Sequence, residues 1–341
     1  MTGSDLGLTP RCQSRVRPRS DPLGGLMKRQ LWLAVLVVVA GAWACGGGAP
    51  EGPRKLRFAL IPKALDIPVF NYADMGAKRV AAELGDVEVI YRGPDRADEL
   101  AQKQILESFI EQRVDGIAIS VLNAEFLTST INRAVDAGIP VMTWDSDAPQ
   151  SKRFAFYGVD DYQSGLEMGK RAGELLGGKG TVAVLTSFGA YNLGRRLDGA
   201  RDALKAYPGI TIVETYDIKE DSVRCAELIA AGTNRYPDLG AWISTGGWPV
   251  FTQNALAPVP PTTKVISFDT NPPAPELIKT GKVQVLIGQK YFGWGGESVR
   301  LLRDYIAGKR PATPVINSGI DVVTAANVDQ YIADWKKLEG K

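Results

Sequence analysis

Residues 114–147 read VDGIAISVLNAEFLTSTINRAVDAGIPVMTWDSD. Two short apolar runs, 116–120 and 141–144, flank a segment at 126–137 that the pattern predicts as a helix. Gly138 closes that helix and Pro140 stands beyond it. Apolar strands without in–out alternation are buried on both faces, as in parallel sheets covered by helices. Parallel strands need a crossover of a dozen or more residues, usually a helix. The stretch therefore reads as one strand–helix–strand unit of an α/β sheet.

The alternation continues outward. Upstream lie expected strands at 56–61 and 87–91, with a helix at 70–84 and another marked by Leu100, Ile105, Phe109 and Ile110. Downstream it restarts. Strands are expected at 154–159, 181–185, 210–215, 241–244, 264–268 and 283–288. Helices are expected at 162–176, 193–207, 223–231, 275–280, 295–306 and 328–338. A chain of 341 residues is too long for one ordinary core. Two successive doubly wound, Rossmann-like α/β lobes joined by a hinge account for the pattern. The expected N-terminal lobe is 55–158 plus 290–318, and the C-terminal lobe 159–289 plus 319–341. Crossings are expected near Gly158-Val159-Asp160, Gln289-Lys290 and Ser318-Gly319.

The first 54 residues read differently. Lys28-Arg29 precedes a 14-residue apolar run, Leu31 to Ala44, too short to span a bilayer. Residues 27–44 read as a secretory signal peptide, and 1–26 as an over-long start. Ala42-Trp43-Ala44-Cys45 resembles a bacterial lipoprotein box, although Ala42 stands where Leu is usual. That resemblance implies acylation of Cys45, with 45–54 as a flexible tether. Ordinary cleavage nearby is the alternative. Six of the 40 basic and two of the 38 acidic residues lie before Cys45, so the remainder carries a net charge of −2. No basic patch invites nucleic acid. Cys12 falls in the discarded part, and Cys225 has no intramolecular disulfide partner once Cys45 is acylated.

Composition narrows function. The chain is 45% hydrophobic and contains no histidine. Ser-His-Asp and Cys-His nucleophile systems and imidazole metal sites are excluded. In open α/β sheets ligands sit beyond the carboxyl ends of the strands. The residues there are Pro62-Lys63, Ser120, Trp144-Asp145-Ser146-Asp147, Ser187, Thr245-Gly246-Gly247-Trp248, Asp269-Thr270-Asn271 and Gln289. Polar groups mixed with flat aromatic surfaces suit a small polar ligand.

These residues resemble the sugar-binding branch of type I periplasmic binding proteins, the receptors of ABC importers, from about Leu56 to about Ile306. The resemblance rests on Ile61-Pro62-Lys63, Pro68-Val69-Phe70, Val114-Asp115-Gly116-Ile117, Gly138-Ile139-Pro140-Val141, Arg196-Leu197-Asp198-Gly199, Tyr236-Pro237-Asp238-Leu239 and Ile266-Ser267-Phe268-Asp269, with Gln289 twenty residues later. Ile61-Pro62-Lys63 and Thr143-Trp144-Asp145-Ser146-Asp147 look most like the branch of autoinducer-2 and rhamnose receptors. Three positions depart from the family: Ile67 stands where Asn is frequent, Ser146 where Arg is common, and Gly246-Gly247 where Asn-Asp is common. A ribose pattern of contacts is therefore not implied.

The resemblance implies a ligand site of Lys63, Phe70, Ser120, Trp144, Asp145, Asn192, Arg196, Trp248, Asp269 and Gln289. Each has a structural alternative. Asp145 and Asp269 would accept sugar hydroxyls or cap the next helix. Gln289 would bond ligand or hinge, and Lys63 would donate to the ligand or be a solvated loop lysine. Arg196 would contact the ligand or pair with Asp198 or Asp221, while Arg195 points about 100° away. Phe70, Trp144 and Trp248 would sandwich a sugar or be plain core, and Ser120 would contact ligand or cap its strand. Gly173-Glu174-Leu175-Leu176-Gly177-Gly178-Lys179 fits a phosphate-loop spacing but ends a helix instead of starting one, so it reads as a helix stop.

The expected function is capture of a small sugar or sugar-like molecule by an exported, lipid-anchored monomer that docks an ABC permease, in the periplasm or at the cell surface. No enzyme activity, catalytic residue, cofactor or metal is expected. A ligand-presenting sensory receptor is the alternative, and an enzyme acting through the two carboxylates is a third reading.

Overall fold

The computed structural model describes residues 54–340. The expected leader, Cys45 and most of the tether lie outside the described residues.

The short apolar runs fold into two sheets. The first holds β1 (Leu56–Ile61), β2 (Val87–Tyr91), β3 (Gly116–Ile119), β4 (Val141–Trp144), β5 (Ala155–Gly158) and β11 (Val315–Asn317), in the order 2-1-3-4-5-11 and parallel throughout. The second holds β6 (Lys179–Thr186), β7 (Gly209–Asp217), β8 (Ala241–Ser244), β9 (Lys264–Phe268), β10 (Val285–Gly288) and β12 (Asp321–Val323), in the order 7-6-8-9-10-12. Only β12 runs antiparallel, against β10. All four residues of β3, β4, β8 and β10 are buried, as continuous apolar runs require.

Helices link the strands, several with side-chain caps from the loops that deliver them. Asp98 accepts from Ala101 N at the start of α2 (Glu99–Glu111), and Asn123 from Phe126 N at α3 (Ala124–Asp136). Asp160 does the same at α4 (Asp161–Leu175), and Asp221 at α6 (Ser222–Arg235). The remaining helices are α1 (Phe70–Leu84), α5 (Tyr191–Leu204), α7 (Trp248–Phe251), α8 (Ala274–Lys279), α9 (Tyr291–Ile306) and α10 (Val328–Glu339). Among the described residues none is long and apolar enough to cross a membrane. The phosphate-loop look-alike is a turn: α4 ends at Leu175, Gly177 and Gly178 have φ of 61° and 79°, and β6 begins at Lys179.

One helix pair matters for the site. α4 and α5 pack backbone to backbone: a Cβ on Gly165 would lie 2.1 Å from the Arg196 carbonyl oxygen. That close approach brings the first residue of α4, Asp161, beside the α5 side chains. The chain passes from the first sheet to the second after β5, returns after β10, and crosses again between β11 and β12. The strands β11 and β12 and the four-residue α7 have no counterpart among the expected elements; each is too short to show a periodicity.

Candidate functional site

The carboxyl ends of both sheets converge on one small cavity, about 30 Å³ in volume and lined by residues of both lobes. Asp145 follows β4 and Asp269 follows β9, with matching local backbones. Both take the left-handed conformation, φ 59° and 73°. Each donates its N–H to the neighbouring strand: Asp145 N to Tyr157 O at 3.1 Å, Asp269 N to Ile287 O at 2.9 Å. Such a φ costs a non-glycine residue about 1–2 kcal/mol, and Asp tolerates it better than most. Neither acid caps a helix, since the N-cap positions of α4 and α8 are Asp160 and Pro273.

From the first lobe, Ser120 Oγ donates to Asp145 Oδ2 at 2.7 Å. Lys63, 2% exposed, reaches across to the second lobe. Its Nζ lies 2.8 Å from Glu220 Oε1 and 3.0 Å from Asn192 Oδ1. In the second lobe, Arg196 on α5 donates from Nε to Asp161 Oδ1 (2.8 Å), from Nη1 to Thr245 O (3.0 Å) and from Nη2 to Gln289 Oε1 (3.2 Å). Its guanidinium stacks 3.7 Å from the Phe268 ring centroid. Gln289 Nε2 and Tyr291 Oη each donate to Asp269 Oδ1 at 3.1 Å.

Burial dominates the electrostatics. It pushes the Asp161 carboxyl up to about 7, against the pull of Arg196. It pushes Asp269 up to about 6, again opposed by Arg196 and by the Gln289 bond. Glu220 is raised by the same desolvation, opposed by Lys63. Charge removed from water ionises less readily unless it is fully paired.

Eight of the ten expected site residues line the cavity: Lys63, Phe70, Asp145, Asn192, Arg196, Trp248, Asp269 and Gln289. Ser120 and Trp144 stand behind this wall. Ser120 supports Asp145, and Trp144 is fully buried in a ring cluster with Phe70 (centroids 5.5 Å) and Trp294 (5.8 Å). The partner of Arg196 is Asp161, not Asp198 or Asp221. Asp198 pairs with the outward-facing Arg195 at 3.3 Å, and Asp221 caps α6.

The sequence reading did not single out Glu220, Trp294 or Asp161. Glu220 follows the seventh strand, whose carboxyl end was not among the positions read. The same strand-end rule would have found it. Trp294 sits in the first turn of α9, four residues beyond the connection from β10.

A family model described as a periplasmic binding protein domain matches residues 58–310. The chain belongs to the periplasmic binding protein family. As in that family, the fold has two α/β lobes, which is the architecture the sequence pattern implied. This binding protein is 25% identical over 320 residues to the D-ribose/D-allose-binding protein of Pseudomonas aeruginosa, covering 87% of this chain and 98% of the relative. Among solved structures it is similar to an ABC transporter solute-binding protein of Burkholderia graminis in complex with D-arabinose. Identity there is 31%, coverage 82% of this chain and 99% of the other, and the TM-score 0.76. A glucose-galactose binding protein from Geobacillus stearothermophilus matches at 29% identity, 80% and 98% coverage, and TM-score 0.75.

Proposed function

We propose that this binding protein captures a small neutral sugar between its two lobes and delivers it to an ABC permease, from an exported position tethered by an acylated Cys45. The observation that carries the reading is the convergence of both sheets on one cavity lined by Asp145 and Lys63 from one lobe, and Asp269, Arg196 and Gln289 from the other. Ionised carboxylates accept hydroxyl protons in the stronger class of hydrogen bond. Arg196 spends three N–H donors on Asp161, Thr245 O and Gln289 and so ties the cavity wall together. Phe70 and Trp248 offer flat apolar surfaces for the C–H faces of a sugar ring. The named relatives that bind D-ribose, D-allose, D-arabinose, glucose or galactose support the same class.

No bond is made or broken in this account. A ligand that touches both lobes favours the closed arrangement over the open one, and hinge bending at the three chain crossings supplies the motion. The closed form is what a permease would read. Mass spectrometry of small molecules released from the freshly purified protein tests the reading. A monosaccharide is expected; a non-sugar ligand, with no thermal shift from any monosaccharide, would sink it.

A further inference from the structure

Among the described residues, every cation facing the cavity has an acidic partner within the protein. Lys63 is bonded to Glu220 and Arg196 to Asp161, both pairs almost wholly buried. Asp145 and Asp269 lie in the same cavity with no cation bonded to them. The wall therefore holds three carboxyl groups, Asp145, Glu220 and Asp269, against two cations, Lys63 and Arg196, that are already bonded within the protein.

Glu220 is the unusual member. One oxygen, Oε1, takes the Lys63 bond at 2.8 Å; the other, Oε2, is buried without a hydrogen-bond partner. The residue is 6% exposed and lines the cavity. Its position is built: Lys219 and Glu220 are consecutive left-handed residues, φ 53° and 51°, and Ser187 Oγ receives the Glu220 N–H at 2.6 Å. Residues are held in such sparsely populated conformations when their surroundings over-determine them, and functional sites are where they gather. A buried carboxylate oxygen without a donor is costly, and a hydroxyl in the cavity would supply one.

We infer that Glu220 is a ligand-contacting residue that sets specificity: Oε2 accepts a hydroxyl of a neutral sugar, and its claim on Lys63 denies that cation to acidic sugars. The inference rests on the sugar reading and adds the class excluded, the uronic acids. A carboxylate brought into this cavity meets Asp145, Asp269 and Glu220 and finds no cation that is not already paired. Discrimination of this kind comes from like charge and unpaired groups set against the wrong ligand. Removing the Glu220 charge while keeping its shape releases Lys63 to pair with a uronate.

The test is calorimetry on the full mature chain and on Glu220→Gln and Glu220→Asp. The probes are D-ribose, D-allose, D-xylose, L-arabinose, D-glucose and D-galactose, beside D-glucuronate and D-galacturonate. Wild type is expected to bind its best neutral sugar at least about 100-fold tighter than either uronate. Glu220→Gln should weaken the neutral sugar by about 10- to 100-fold, the range for a bond to a charged acceptor. It should also narrow the neutral-to-uronate ratio by about 10-fold or more. Glu220→Asp keeps the charge and shortens the reach, so it should weaken the neutral sugar while preserving the ratio; it carries the test if Glu220→Gln does not fold. A Glu220→Gln protein that binds neutral sugars like wild type, or that loses both classes equally, overturns the inference and leaves the sugar reading standing. Wild type that binds none of the neutral sugars overturns the sugar reading and this inference with it.

Discussion

Replacing Arg196 with Met removes a buried cation from a site where four groups depend on it. Asp161, Thr245 O and Gln289 lose donors, and the Phe268 ring loses its stacking partner. Breaking a buried ion pair by deleting one partner costs about 3–5 kcal/mol, because the other charge is left uncompensated. For a chain of this size one kcal/mol moves the thermal midpoint by about 2 °C. The variant should therefore melt about 6–10 °C below wild type at pH 8.5, where Asp161, with its carboxyl pushed up to about 7, is ionised in the wild-type protein. At pH 5 the same carboxyl is protonated in both proteins. The guanidinium then loses bonds to neutral acceptors and its stacking but leaves no uncompensated carboxylate behind, and the gap should shrink. Thermal melts followed by circular dichroism at the two pH values make the comparison. A gap that is equal at pH 5 and pH 8.5, or that is absent at both, would refute this reading of the Asp161–Arg196 pair.

Asp145→Ala and Asp269→Ala should each weaken sugar binding by about 10- to 100-fold or more, with the Asn variants weakened less, since a charge-assisted bond is worth about 1.5–3 kcal/mol; calorimetry on all four decides. The Asp161 and Asp269 carboxyls, raised by burial to about 7 and about 6, bind protons in the folded state that the unfolded chain releases near pH 4. The stability they contribute is full below about pH 4 and is lost as pH rises through 6 and 7, so melts without sugar should favour the acid side of that window. Sugar affinity should run the other way and fall below about pH 6, because a protonated Asp269 is a weaker acceptor; affinity that rises on acidification contradicts the role given to Asp269. Cys45→Ala should block lipid labelling and release the protein from membranes, as fractionation of labelled cells will show.

The sequence carried the sheet pattern because β3, β4, β8 and β10 are buried on both faces and so read as unbroken apolar runs. It did not carry β11 and β12, three residues each, which exist because neighbouring strands offer them an edge. Site positions after β1, β4, β9 and β10 were legible from the strand-end rule together with the family resemblance. What those residues bond to was not. Asp161 and Arg196 are 35 positions apart and meet only because Gly165 lets α4 and α5 touch. The left-handed turns at Asp145 and Asp269 are set by bonds to neighbouring strands, and no local motif announces them. Trp144 ends β4 but does not line the cavity; it is fully buried beside Phe70 and Trp294, which do.

A crystal structure of the protein with its tightest monosaccharide bears most directly on the central claim, that one small ligand is held by both lobes at once. The account predicts a single sugar with hydroxyls within hydrogen-bond distance of Asp145 on the first lobe and Asp269 on the second. A sugar seated on one lobe alone, or bound away from this cavity, would contradict it.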